Sequence, residues 1–242
     1  MRIATLAVLF AFAAAAAAAG AQPTPDPWWA RYKDASQQVK LPDGREMTLH
    51  CEGSGAPVVI MDAGLGDGAA AWRKVQGEIA KTTRVCGYDR AGIGGSSMGP
   101  LPRDTASIAA DLKALRNSSK LPWPYVLVGH SMGSYDMRMY ASRNLKQVAG
   151  MVLVDPSADG QMARMAAAAP RLEALQKAAY AGAARCAEMA KAGTLTPQTE
   201  GCRQAPPPDV PPERRDWAKA RAGPQNFITV GSELDSFNTL DT

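Results

Sequence analysis

Four short apolar runs, 57–61 (PVVIM), 84–88 (RVCGY), 125–128 (YVLV) and 149–154 (AGMVLV), constrain this chain more than any other feature. Runs of that length, apolar on both faces and bounded by turn signals, predict strands buried on both sides, the condition of a parallel sheet covered by helices. Helical spacing fills the gaps between them. Trp72, Val75 and Ile79 mark one stripe, Ile108, Leu112 and Leu115 a second behind a capping Asp104, and 132–144 a third helix. Two further strand-like runs, 37–41 and 46–51, flank Pro42-Asp43-Gly44 and predict a β-hairpin. The expectation is an α/β fold: a mostly parallel sheet with flanking helices and an antiparallel hairpin at one edge.

Residues 1–21 read as an address label, with Arg2, an alanine-rich apolar run, and the small-x-small sequence Ala19-Gly20-Ala21. They predict a secretory signal, removed on export, hence a periplasmic or secreted chain without a stable membrane anchor. The remainder divides into a core at 22–156, an insertion at 157–225 and a return toward the core at 226–242. The insertion begins alanine- and methionine-rich over 162–189 and turns irregular over the proline-rich 203–215, while 227–237 favours helix over strand. The formal charge of +4 comes from scattered residues, so nothing predicts a nucleic-acid face.

Export favours disulfides, and four cysteines allow three pairings. One of them, Cys186 with Cys202, closes a short loop in a segment with little core of its own. Zinc is not expected, because no Cys-x-x-Cys occurs and neither histidine, His50 or His130, stands at a ligand spacing.

Chemistry concentrates at Gly129-His130-Ser131-Met132-Gly133, directly after the YVLV strand and directly before a helix. That context suits a nucleophilic hydroxyl held at a tight strand-to-helix turn, where side chains at the flanking glycines would strike backbone. Ser131 is the expected nucleophile. The helix start presents the Met132 amide to a developing oxyanion, and the turn Gly64-Leu65-Gly66 is placed to add the Leu65 amide. A rival reading takes Gly64-x-Gly66-x-x-Ala69 as a relaxed dinucleotide fingerprint, with Asp89 as a ribose-binding acid in a NAD-binding Rossmann domain. It leaves the Gly-x-Ser-x-Gly unexplained.

The pieces HCEGSGAPVVIMDAGLG, RVCGYDRAGIGGSS, YVLVGHSMGS and VAGMVLVDPS, in this order, make the chain resemble the α/β-hydrolases over about 37–157. The resemblance implies a serine hydrolase acting on a small-molecule ester or acyl substrate without metal or organic cofactor. It implies Ser131 as nucleophile, the Leu65 and Met132 amides as oxyanion hole, and the 157–225 insertion as a cap. It also makes the second and fourth strands neighbours, which favours pairing Cys51 with Cys86.

The family's order of triad residues is serine, acid, then a late histidine. No histidine follows His130 in this sequence, and apolar runs for the family's seventh and eighth strands are missing. The expectation is therefore the N-terminal part of a longer hydrolase, with the sixth strand left as a sheet edge and activity impaired. Asp155, at the end of that strand, stands where some members carry an alternative acid. A catalytically dead remnant that binds an acyl ligand is the non-enzyme alternative.

Overall fold

A computed structural model describes residues 27–202, 210–212, 215 and 223–240. The expected leader at 1–21 and most of the proline-rich 203–215 lie outside the described residues. Six strands form one sheet: β1 (Ser36–Lys40), β2 (Glu46–Glu52), β3 (Val58–Asp62), β4 (Val85–Tyr88), β5 (Tyr125–Ser131) and β6 (Val148–Pro156). Their order is β1-β2-β4-β3-β5-β6. The β1–β2 and β2–β4 pairs are antiparallel, and the remaining pairs are parallel. The mostly parallel sheet with a hairpin at one edge is thus present. β3 lies between β4 and β5, and all five of its residues are buried, as a two-sided apolar run requires.

Two registers matter for the site. Cys51 stands opposite Cys86 in the β2–β4 ladder, and the two are joined in a disulfide. Ser131 pairs with Pro156 at the carboxyl ends of β5 and β6.

Helix α1 (Trp28–Ala35) precedes the sheet and was not legible in the residue pattern. It buries Trp28, Trp29 and Tyr32, and the rings of Trp28 and Tyr32 each lie 5.0 Å from that of His50. The stripe of Trp72, Val75 and Ile79 does not become one helix. A 3-10 turn over Ala69–Trp72 is followed by the four-residue α2 (Gln76–Ile79), and Val75 is 44% exposed. The reason is Gln76, which is wholly buried in Val75's stead. Its Nε2 donates to the carbonyls of His50 at 3.0 Å and Val85 at 3.4 Å, satisfying strand oxygens that an apolar side chain would leave orphaned.

Helix α3 (Thr105–Ser118) starts as expected. The Asp104 carboxylate accepts from the Ser107 amide at 2.7 Å, and Ile108, Leu112 and Leu115 face the core. α4 (Gly133–Arg143) follows β5 directly. After β6 come α5 (Gln161–Ala168), α6 (Pro170–Lys191) and α7 (Pro224–Leu240). Residues 227–237 are helical, and the boundary expected at 225/226 falls inside α7. α7 packs on α6 so closely that a Cβ at Gly231 would lie 2.4 Å from the Ala187 Cβ. Beside that contact, a disulfide joins Cys186 to Cys202, packed with Ala190 and Phe227.

β6 is an outer strand of the sheet, and Val152, Leu153 and Val154 are 50%, 39% and 40% exposed. Because successive side chains alternate faces, both sides of this edge are apolar and open. No helix among the described residues is long and apolar enough to cross a membrane.

Candidate active site

β5 ends at Ser131 and α4 begins at Gly133, which leaves Met132 alone to reverse the chain. Ser131 takes φ +49°, the left-handed region that costs a non-glycine residue roughly 1–2 kcal/mol. The two flanking glycines are required by contact. A Cβ at Gly129 would lie 2.7 Å from the Gly133 carbonyl oxygen, and one at Gly133 would lie 2.5 Å from that of Ala63. The turn therefore holds Ser131 half-exposed, and its hydroxyl has no hydrogen-bond partner among the described residues.

The crest after β3 closes on this turn. A Cβ at Gly64 would lie 3.3 Å from the Ser131 Cβ and 3.1 Å from Nδ1 of His130. The crest is a tight turn in which the Gly64 carbonyl accepts from the Asp67 amide at 3.1 Å, with Gly66 at φ +72°. Leu65, predicted from the sequence to supply a backbone donor, thus follows directly on the glycine that touches Ser131, and Met132, predicted to supply the other, follows directly on Ser131 itself. Their side chains pack with Ile108, Tyr135, Tyr180 and Phe237, contributed by α3, α4, α6 and α7. Tyr135 donates from its hydroxyl to Asp159 at 2.8 Å; burial and then that bond push its phenol up to about 12.

Beneath the crest lies a charge cluster that the sequence reading did not single out. Arg90 is fully buried. It donates from Nε to Glu233 at 2.8 Å, from Nη1 to Asp62 at 2.8 Å and to the Ala63 carbonyl at 2.7 Å, and from Nη2 to the Gly64 carbonyl at 2.7 Å and Glu233 at 3.1 Å. Every N–H of the guanidinium is used. Burial opposes its charge, but Glu233 and Asp62 outweigh that and hold its pKa well above the ordinary value. Asp136 on α4, also buried, has its pKa driven well up by burial and then by the Asp62 charge. The one sequence clue was the pair Asp89-Arg90 at the end of β4. Nothing local marked Glu233, 143 residues away.

Asp89 has a different task. It is buried and accepts from the amides of Ala69 at 2.9 Å and Gly95 at 3.2 Å and from the Tyr32 hydroxyl at 3.4 Å. Cβ atoms at Gly68 or Gly94 would come within 2.1 Å of its carboxylate, so the glycines of both crests close around it. It is not free for a ribose, which removes the dinucleotide reading.

Neither histidine reaches Ser131 by a hydrogen bond. His50 is locked on β2 between the Ser36 hydroxyl at 3.1 Å and Glu52 at 3.0 Å, and burial lowers its pKa despite Glu52. His130 sits edge-on to Trp72, with ring centroids 6.4 Å apart. Asp155 has φ +42° at the exposed end of β6, next to the Pro156 that pairs with Ser131.

Comparison with known proteins fits this geometry. The uncharacterized protein YqjL of Bacillus subtilis is 31% identical over 110 residues, which cover 46% of this chain and 44% of YqjL. The chain thus spans less than half the length of this curated relative. Among solved structures, the epoxide hydrolase CorEH superposes with a TM-score of 0.60 at 20% identity, covering 85% of this chain and 76% of that one. An esterase from Thermogutta terrifontis gives 0.52 at 22% identity, covering 81% and 71%. At these identities the likeness is one of fold. The model of the alpha/beta hydrolase fold family matches residues 57–185, more than half the chain, and takes in the crest, the Arg90 strand end and the serine turn together. With sheet order and residue match in agreement, the chain belongs to the alpha/beta hydrolase fold family.

Proposed function

We propose that the protein is a serine hydrolase that cleaves carboxylic esters through an acyl-enzyme on Ser131, with the Leu65 and Met132 amides stabilising the tetrahedral oxyanion. The observation that carries this reading is the contact between the two crests: a strained, half-exposed serine stands directly against the Gly64–Gly66 turn. Strain of this kind is kept where it presents a reacting group. The Ser131 oxygen attacks the ester carbonyl and gives its proton to a general base while the carbonyl oxygen takes the negative charge against the amides. Collapse then breaks the ester C–O bond, the alcohol leaves with that proton, and water releases the acid from the acyl-serine by the same route. Asp155 is proposed as the acid near the nucleophile. α5 and α6 belong to a proposed cap over 157–225, and Tyr135, Tyr180 and Phe237 wall the acyl side. The disulfides fit an oxidising compartment, and with the leader at 1–21 they support a periplasmic or secreted protein.

A second reading, an acyl-binding remnant without turnover, is favoured by the engagement of both histidines away from the Ser131 hydroxyl. One experiment separates them. Wild type and Ser131→Ala are treated with a fluorophosphonate probe and assayed with p-nitrophenyl acetate. Labelling and turnover that both vanish in the variant support the hydrolase. Labelling without turnover supports the remnant, and equal labelling of both proteins removes Ser131 from either account.

A further inference from the structure

We infer that Arg90, seated by Glu233 of α7, is a positioning residue that turns the Leu65 amide toward Ser131. The inference rests on the oxyanion role proposed for that amide, and it follows from peptide geometry. The Gly64–Leu65 peptide is trans, since among the described residues the cis bonds fall at Ala56-Pro57, Leu101-Pro102 and Trp123-Pro124. In a trans planar peptide the carbonyl and the next N–H point in opposite directions. The Gly64 carbonyl is held at 2.7 Å by Nη2 of Arg90, so the Leu65 N–H is aimed away from the guanidinium. The preceding peptide is held in the same sense, because the Ala63 carbonyl accepts from Nη1 at 2.7 Å. The amide on the other side of Leu65 is drawn back instead: Gly66 N–H lies 3.5 Å from Oε2 of Glu233. Of the amides at 65 and 66, only that of Leu65 is left for a ligand.

Glu233 fixes the guanidinium in this pose. It takes Nε and Nη2 as a two-pronged acceptor, which sets the plane of the fork and leaves the remaining donors aimed at the crest. Asp62, the last residue of β3, takes one donor of Nη1. The arrangement is wholly buried, so its geometry is not averaged by water. A lysine here would keep the charge but present a single ammonium, which cannot serve both crest carbonyls in that plane while meeting Glu233 twice. The rival account is that the crest orients itself through its own Gly64–Asp67 turn bond. The two accounts differ in what happens when the fork is lost and the turn is kept.

The test compares wild type, Arg90→Lys and Glu233→Gln with Arg103→Lys as control, since Arg103 is an equally buried arginine paired to Asp111. All are 15N-labelled and studied well below their own melting temperatures. The first readout is the amide resonance and hydrogen exchange of Leu65; the second is the saturation kinetics of Ser131 phosphonylation by a fluorophosphonate. The expected result is a shifted, faster-exchanging Leu65 amide in both test variants and a maximal labelling rate reduced about tenfold or more, with half-saturation unchanged. Arg103→Lys should lower the melting temperature and leave both readouts alone. A Leu65 amide unchanged in Arg90→Lys and Glu233→Gln overturns the inference and gives the orientation to the turn. If wild type is not labelled at Ser131, the hydrolase reading fails, while the amide readout still decides the positioning claim. Should Arg90→Lys not fold, the near-isosteric Glu233→Gln decides the matter by the same two measurements.

Discussion

Gly133 stands so near the carbonyl oxygen of Ala63 that a Cβ at this position would lie 2.5 Å from it. The obstacle is backbone on both sides, so the strain has nowhere to relax. Gly133→Ala should therefore cost about 3 kcal/mol of unfolding free energy, as overpacking in a rigid site does. Gly182 on α6 has nothing within 4 Å of its missing Cβ, and Gly182→Ala should stabilise by up to about 1 kcal/mol through helix propensity. Denaturant midpoints of the two variants measure the contrast.

Ser131 holds φ +49° although it carries a side chain. Ser131→Gly removes that penalty and should raise stability by about 1 kcal/mol, whereas Ser131→Ala keeps the Cβ and should not. A glycine variant no more stable than the alanine variant would mean that the turn is not strained.

Cys51 and Cys86 close a loop of 35 residues across directly opposed strands, while Cys186 and Cys202 close one of 16. On chain entropy, replacing both cysteines by alanine should cost about 4 kcal/mol for the first pair and about 3 kcal/mol for the second. The first loss should affect the whole sheet. The second should be read first as loosening of α6 against α7, by hydrogen exchange.

His50 couples the α1 packing to pH. Burial lowers its pKa, Glu52 opposes that, and Arg31, ion-paired to Glu52, adds to the lowering. As pH falls below about 6.5, the unfolded chain takes up a proton that the folded chain refuses. The stability present above that value is then lost by up to about 1.4 kcal/mol per pH unit, until the folded pKa is reached. His50→Gln should flatten the stability profile between about pH 6.5 and 5 relative to wild type. Parallel profiles for the two proteins would remove His50 as the cause.

The β6 edge exposes Val152, Leu153 and Val154 on both faces beside a ladder with no partner strand among the described residues. Edges of this kind associate unless charged. Val152→Lys should lower concentration-dependent light scattering at unchanged melting temperature. Scattering equal to wild type would place the sticky surface elsewhere.

What the sequence disclosed was local or periodic. The β3, β4 and β5 runs are continuous because both their faces are covered, and the Gly129 and Gly133 requirement follows from a tight turn that any strand-to-helix reversal of this length must make. Asp104 capped α3 for the same reason, a short-range bond written three residues ahead. The failures were matters of tertiary demand. Val75 fitted the helical stripe, yet the strand carbonyls of His50 and Val85 needed a donor and drew Gln76 inward. The buried Arg90 cluster escaped notice because its acceptors lie far apart in the chain, and no period or spacing links position 90 to position 233.

That separation bears on how the protein is made. A chain leaving the ribosome lays down the crest, the β4 end and the serine turn well before α7, so until α7 emerges the guanidinium has only its acceptors near the crest to meet. Its remaining two bonds, both to Glu233, wait for α7 to dock. The Ser131 turn can thus be shaped early, but the crest it packs against gains its last support only once α7 has docked, and until then a nascent chain carries that serine in an unfinished setting.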